Sequence, residues 1–221
     1  MFIDGYSLQL LLGAWITIKL ACVAVIPGLL FGLLAASRSS WPIYLRYPMD
    51  VFIFIIRGLP EILVIFFIYF GLTTMLSQLF HHYVDISPFK AGAAALALLF
   101  GAYASSVFQG AFAAIDSGQL EAGNVMGLSN WQKFIYIQLP QAWRHAIPGL
   151  GNLWLVLVKD TAIVSLIGVS DMMNQAKMAA STTHQPFTFY LLAAFIYLLI
   201  TSISQKVIDI FSLRSKRYLH S

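Results

Sequence analysis

The chain has 221 residues, of which 59% are hydrophobic and only 10% charged, with a formal net charge of +4 and a mean hydropathy of +0.79. A water-soluble domain carries about 25% charged residues, so this composition excludes an ordinary soluble protein and makes the bilayer the natural solvent. The 13 basic residues are scattered among loops, which excludes a nucleic-acid footprint; the single cysteine, Cys22, excludes an internal disulfide, and no Cys/His spacing forms a metal site.

The apolar start has no basic n-region and no clear cleavage site, so a retained first helix is expected rather than a removed signal peptide. That first span covers about Ser7 to Ala36. Lys19 falls inside it and either snorkels or turns toward the bundle, where Gly13, Thr17 and Gly28 offer a small or polar face. Cys22 is expected to pack in this span, and Pro27 to kink it, which neighbouring helices tolerate. A polar turn with Arg38 and Arg46 leads to a second span over about Pro48 to Leu72. Within that span, Arg57-Gly58-Leu59-Pro60-Glu61 is a charged, helix-breaking patch. Arg57 and Glu61 share a face if the helix survives Pro60, as an ion pair locking two helices or as part of a gate.

Thr73 to Lys90 reads as a solvated loop; its adjacent histidines, His81 and His82, cannot share a helix face. The third span, about Ala91 to Ala114, is rich in small residues that let helices approach closely. Gly101, Ser105 and Gln109 stack on one of its faces, as a seam, a cavity wall or both. After a polar island at about 116–140, the fourth span runs from near Trp143 to Gly168 with Asn152, Lys159 and Asp160 on roughly one face. Lys159 lies roughly 22 Å along a continuous helix from Arg144. An ionisable pair at that depth is either a functional site or a lysine and aspartate neutralising each other at a helix end. A polar stretch with Asp171, Asn174, Lys177 and His184 then precedes a last span over about Phe187 to Phe211 and a tail with Arg214, Lys216 and Arg217. Five spans put Arg38, Arg46, Lys133, Arg144, Arg214, Lys216 and Arg217 on one side, against Lys90 and Lys177 on the other. The first side is therefore expected to be cytoplasmic, with the N-terminus outside.

The polar island carries the most specific pattern in the chain. Glu121-Ala122-Gly123 is followed by three residues, Gly127, nine residues and Ile137-Gln138-Leu139-Pro140. Glu121 and Ala122 suit the opening of a short helix that Gly127 breaks, Ser129-Asn130 can cap a second helix near Trp131, and Pro140 marks an exit. The pattern resembles the E-A-A-x3-G-x9-I-x-L-P loop of bacterial ABC importer permeases, with Gly123 in place of the second alanine. The resemblance extends over nearly the whole chain through Arg57-Gly58-Leu59-Pro60, Phe67-Ile68-Tyr69-Phe70-Gly71, Ala102-Tyr103-Ala104-Ser105 and Lys159-Asp160-Thr161-Ala162. These segments are similar to the polar amino-acid branch (histidine, arginine and glutamine types), and Trp143-Arg144-His145-Ala146 is closest to Q-type permeases of arginine uptake.

The resemblance implies an all-α, polytopic membrane protein of about five transmembrane helices with the type I importer permease fold, and one permease domain over residues 1–221. It implies a second permease, like or unlike, two ATPase subunits and an outer binding protein. The loop residues Glu121, Ala122, Gly123, Gly127, Leu139 and Pro140 would dock on the ATPase. No G-x-x-x-x-G-K-[ST] loop is present, so ATP and Mg are expected on the partner ATPase, with no cofactor in this chain and no enzymatic activity of its own. A membrane-embedded enzyme would need a nucleophile with a base or an H-E-x-x-H motif, and neither is found. A secondary transporter would call for an inverted repeat. Recognition of a cationic amino acid needs a carboxylate in the spans. Asp160 is the first candidate and Glu61 the reserve, with Lys159 for the substrate carboxylate and Asn152 on the same face. The chain departs from the family at Ser106 and Gln109, where many members carry Glu or Gln and Arg.

Overall fold

A computed structural model describes residues 4–217, with the side chains at 4, 39, 40 and 214–217 outside the description; the tail cations Arg214, Lys216 and Arg217 therefore fall outside it. The described residues are helical throughout, without strands: α1 (Asp4–Ala36), α2 (Ile43–Gly58), α3 (Glu61–Phe80), α4 (Pro88–Ala113), α5 (Ser117–Val125), α6 (Asn130–Lys133), α7 (Leu139–Val164), α8 (Met172–Thr183) and α9 (Pro186–Arg217). Five helical stretches are long and apolar enough to cross a membrane: 5–36, 61–80, 88–113, 130–167 and 186–213.

α4 is the centre of the bundle, and its small residues are the reason. A Cβ at Gly28 would lie 2.9 Å from the Ala97 carbonyl oxygen, and one at Gly101 2.8 Å from the Gly28 carbonyl oxygen. One at Gly32 would lie 2.8 Å from Ala104 Cβ. Side chains at these positions would force the backbones apart, so α1 and α4 run parallel in close contact. α7 runs antiparallel, with Gly92 against Val164 near one end and Gly149 against Val107 near the other. The expected Gly101 face is thus a helix seam: Gly101 and Ser105 are buried and Gln109 is half-buried. Leu20, Leu96, Phe100, Phe108, Leu157 and Val158 fill the core between these three helices.

Several boundaries differ from expectation. The second span does not survive its proline: Leu59 is extended (φ −86°, ψ 145°), α2 ends at Gly58, and α3 restarts at Glu61. A residue before proline is pushed out of the helical region, and proline cannot donate to the preceding turn. α2 packs Ile53 and Ile56 against Ala35, Val64, Leu99 and Ala102. Arg38 ties it to the end of α1 through Asp50 at 2.5 Å, and Arg46 reaches the same carboxylate at 3.3 Å. The Arg38 hydrogen bond holds the Asp50 carboxyl below the usual carboxylate range. The loop after α3 is shorter than expected, because the helix continues to Phe80, where His81 closes it at φ 54°. Cys22 is exposed on α1 rather than packed. Lys19 is also exposed; it sits over the Phe89 ring at 5.6 Å, beside the start of α4.

The polar stretch after α7 contains α8, whose N-cap is Asp171. This carboxylate is 0% exposed, and burial pushes its pKa up to about 6. The native state therefore holds the proton more tightly than the unfolded chain. Stability is gained as pH falls through 6 toward the ordinary carboxylate value and is lost as pH rises through 6. Asp171→Asn keeps an oxygen for the Asn174 N–H and cannot ionise. The wild-type protein should lose on the order of 2 kcal/mol relative to Asp171→Asn between pH 4 and pH 7.5. Thermal unfolding in detergent across that range checks it, and parallel pH profiles would remove Asp171 as the titrating group.

Candidate functional site

The polar island folds into two short helices meeting at a glycine. α5 opens earlier than expected: Asp116 caps it, accepting from the Gly118 N–H, so Glu121 and Ala122 lie mid-helix and exposed. α5 ends in a Schellman motif. The Leu128 N–H reaches the Gly123 carbonyl at 2.9 Å, and the Gly127 N–H the Asn124 carbonyl at 3.0 Å. That closure puts Gly127 at φ +74°, where glycine carries no Cβ penalty. Ser129 then caps α6 with a full capping box through Gln132, as expected of the Ser129-Asn130 start.

Pro140 does not end anything. A π turn over Phe134–Gln138 runs straight into α7, whose first turn holds Pro140. Within a continuous helix a proline removes one hydrogen bond and crowds the preceding turn, and the π turn lying directly before Pro140 is where the helix takes up that change. The fourth span is therefore continuous with the second helix of the knob, from 130 to 167. No loop separates α6 from α7.

Gly123 is the buried hinge-side contact: a Cβ there would meet Lys133 Cγ at 3.1 Å and Ile137 Cδ1 at 3.2 Å. Lys133 also donates to Asn124 Oδ1, and Gln141 to Gln119 Oε1 at 2.5 Å. These side-chain ties clamp α5 onto α6 and the start of α7; they join residues 9 and 22 positions apart and carry no local sequence signal. Leu139 is half-buried and Pro140 exposed at the foot of the knob. Val125 and Met126, 90% and 77% exposed, project from the turn, and Trp131 and Tyr136 are bare beside it. Together they form an apolar patch on an otherwise polar knob. Its sequence signal was present as apolar residues inside the polar island.

The intramembrane candidates separate. Consecutive residues on a helix point about 100° apart, and Lys159 and Asp160 follow suit. Lys159 is exposed and lines a cavity of about 400 Å³ with Met173, Tyr190 and Tyr197. Asp160 is half-buried and lies within electrostatic reach of Glu61 at the start of α3. Asn152 is exposed two turns below Lys159. Arg57 does not pair with Glu61. The break at Pro60 separates them, and Arg57 donates to Ser106 Oγ at 2.7 Å with its guanidinium 5.3 Å from the Tyr103 ring centre. A local reading of Arg57-x-x-x-Glu61 could not find that partner, which lies 49 positions away.

Comparison with known proteins matches this arrangement. A permease relative, the arginine ABC transporter permease protein ArtQ of Haemophilus influenzae, is 46% identical over 99% of this chain and 98% of its own. ArtQ of Escherichia coli K12 is 43% identical over 93% and 94%. A crystal structure of an amino acid ABC transporter with histidines superposes with a TM-score of 0.84 at 32% identity, covering 96% of both chains. Residues 28–217 match the family described as the binding-protein-dependent transport system inner membrane component, so this chain belongs to that family of membrane-embedded ABC permeases with the type I fold.

Proposed function

We propose that this chain is the permease subunit of an ATP-driven importer that brings arginine or a similar basic amino acid into the cytoplasm by alternating access. The observation that carries the substrate class is the full-length identity of 46% to an arginine permease. The knob at 116–140, with its bare Val125 and Met126, is read as the surface that docks on an ATPase subunit. Its unbroken continuation into α7 is the lever that would turn ATPase closure into helix motion. ATP and Mg belong to two partner ATPases, an outer binding protein delivers the amino acid, and a second permease completes the pathway. The excess of basic residues at the knob end supports a cytoplasmic knob, an outside N-terminus and a bacterial inner-membrane location.

A second reading is favoured by Ser106. Among the described residues the Arg57 charge meets a hydroxyl and a ring there, with no carboxylate in contact, so an unlike partner permease could hold the amino acid, which could equally be histidine, glutamine or glutamate. Purification of the tagged chain in mild detergent, followed by vesicle reconstitution, tests both. The expected result is a complex with an ATPase and a second permease whose ATP-dependent arginine uptake requires a binding protein. Uptake without an ATPase, or a complex stimulated only by a different amino acid, would overturn the assignment.

A further inference from the structure

The end of the bundle opposite the knob contains a closed polar cluster that the transport reading does not use. Thr17 on α1, Thr161 on α7 and Asp171 at the cap of α8 are each 0% exposed. Tyr197 on α9 brings its hydroxyl among them, beside both threonine hydroxyls and the Asp171 carboxylate. Two atoms in this cluster, Asp171 Oδ2 and Tyr197 Oη, are buried and have no hydrogen-bond partner among the described residues. Buried polar atoms in native proteins are satisfied by protein or by ordered water.

The remaining hydrogen bonds determine what is missing. Asp171 Oδ1 already accepts from the Asn174 N–H at 3.0 Å. Thr17 Oγ1 accepts from the Met172 N–H at 3.3 Å, which leaves its own hydrogen to donate. Thr161 donates to the Val158 carbonyl at 2.7 Å, which leaves its lone pairs to accept. The cluster therefore presents two donors, the Tyr197 and Thr17 hydroxyls, and two acceptors, Asp171 Oδ2 and Thr161 Oγ1. Two donors and two acceptors within one buried cluster are the complement of a water molecule.

We infer that Thr17, Thr161, Asp171 and Tyr197 bind a single buried water, and that this water is the joint fastening α8 to α1, α7 and α9. The water accepts from Tyr197 and Thr17 and donates to Asp171 and Thr161, so every polar atom of the cluster is satisfied. A bare cation fits worse, because it would turn the Tyr197 and Thr17 hydrogens away from the centre with no acceptor to receive them. Around this point the contact is tight: a Cβ at Gly13 would lie 2.8 Å from Met172 Cα. The joint thus sets the position of α8 against the turn of α7 that carries Lys159, Asp160 and Thr161.

The test uses the assembled transporter. A structure at a resolution that shows ordered solvent should contain one peak about 2.6–3.2 Å from all four oxygens. Tyr197→Phe removes one donor and keeps the ring; amide hydrogen exchange across Met172–Thr183 should then quicken about tenfold, with α5 unchanged. Thr161→Val should have the same effect, and the double variant should show clearly less than the product of the two, because both lose the same water. If Tyr197→Phe fails to assemble, Thr161→Val alone reads the joint. No solvent peak, a direct hydrogen bond from Tyr197 to Asp171 or to either threonine, or unchanged exchange in α8 would overturn the inference.

Discussion

Gly127→Val is expected to reduce uptake by about tenfold or more while leaving the membrane bundle folded. Gly127 sits at φ +74°, and a Cβ there meets nothing within 4 Å. The penalty therefore comes from backbone conformation alone and not from crowding. A left-handed conformation costs an ordinary residue roughly 1–2 kcal/mol, and a β-branched one more. Valine would relieve that strain by opening the Schellman closure from Leu128 to Gly123, which sets the angle between α5 and α6. Three substitutions separate shape from charge. Gly127→Asn tolerates the left-handed region and should retain most uptake. Gly127→Asp tolerates it nearly as well but places a charge beside Val125 and Met126, so its loss reports the docking surface itself. Gly127→Val reports the turn. Uptake in vesicles and the amount of ATPase copurifying with each variant are the measurements. Normal uptake in both Gly127→Val and Gly127→Asp would remove the docking role of the knob.

The knob was legible because its determinants are local. A glycine at a helix C′ position and a serine three residues before a glutamine specify their own backbone, and both closures form at Gly127 and Ser129. The apolar runs were legible for the same reason: composition alone marks a bilayer span. The two prolines act in opposite ways. Pro60, in continuous apolar sequence, breaks the helix on which a shared Arg57–Glu61 face depended and divides α2 from α3. Pro140, in polar sequence, was expected to end an element and instead sits in the first turn of one. The difference lies in what precedes each: an extended Leu59 before Pro60, and a π turn before Pro140 that runs on into the helix. Partners far apart in the chain were not legible at all. Arg57 with Ser106 and the Asp171 cluster depend on helix packing that periodicity does not encode.

Asp160→Asn is expected to leave assembly intact and to lower arginine uptake by about tenfold or more. The side chain is half-buried in α7, so an amide of the same shape keeps the packing. What it loses is charge. A guanidinium entering a water-poor cavity needs a carboxylate, and a charge-assisted hydrogen bond is worth roughly 1.5–3 kcal/mol, or about ten- to a hundredfold. Asp160 and Glu61 stand within electrostatic reach of one another, so the pair concentrates negative potential where a cation would sit. Lys159 is also within electrostatic reach of Asp160, but it is exposed and its side chain faces the cavity with Tyr190 and Tyr197. Lys159→Met should therefore leave discrimination between arginine and a neutral amino acid unchanged, whereas Asp160→Asn should erode it. Glu61→Gln should fall between them. Uptake kinetics in reconstituted complexes, with arginine and glutamine compared in each variant, separate these outcomes. Wild-type kinetics in a correctly assembled Asp160→Asn complex would remove this residue from recognition and place the amino-acid site in the partner permease.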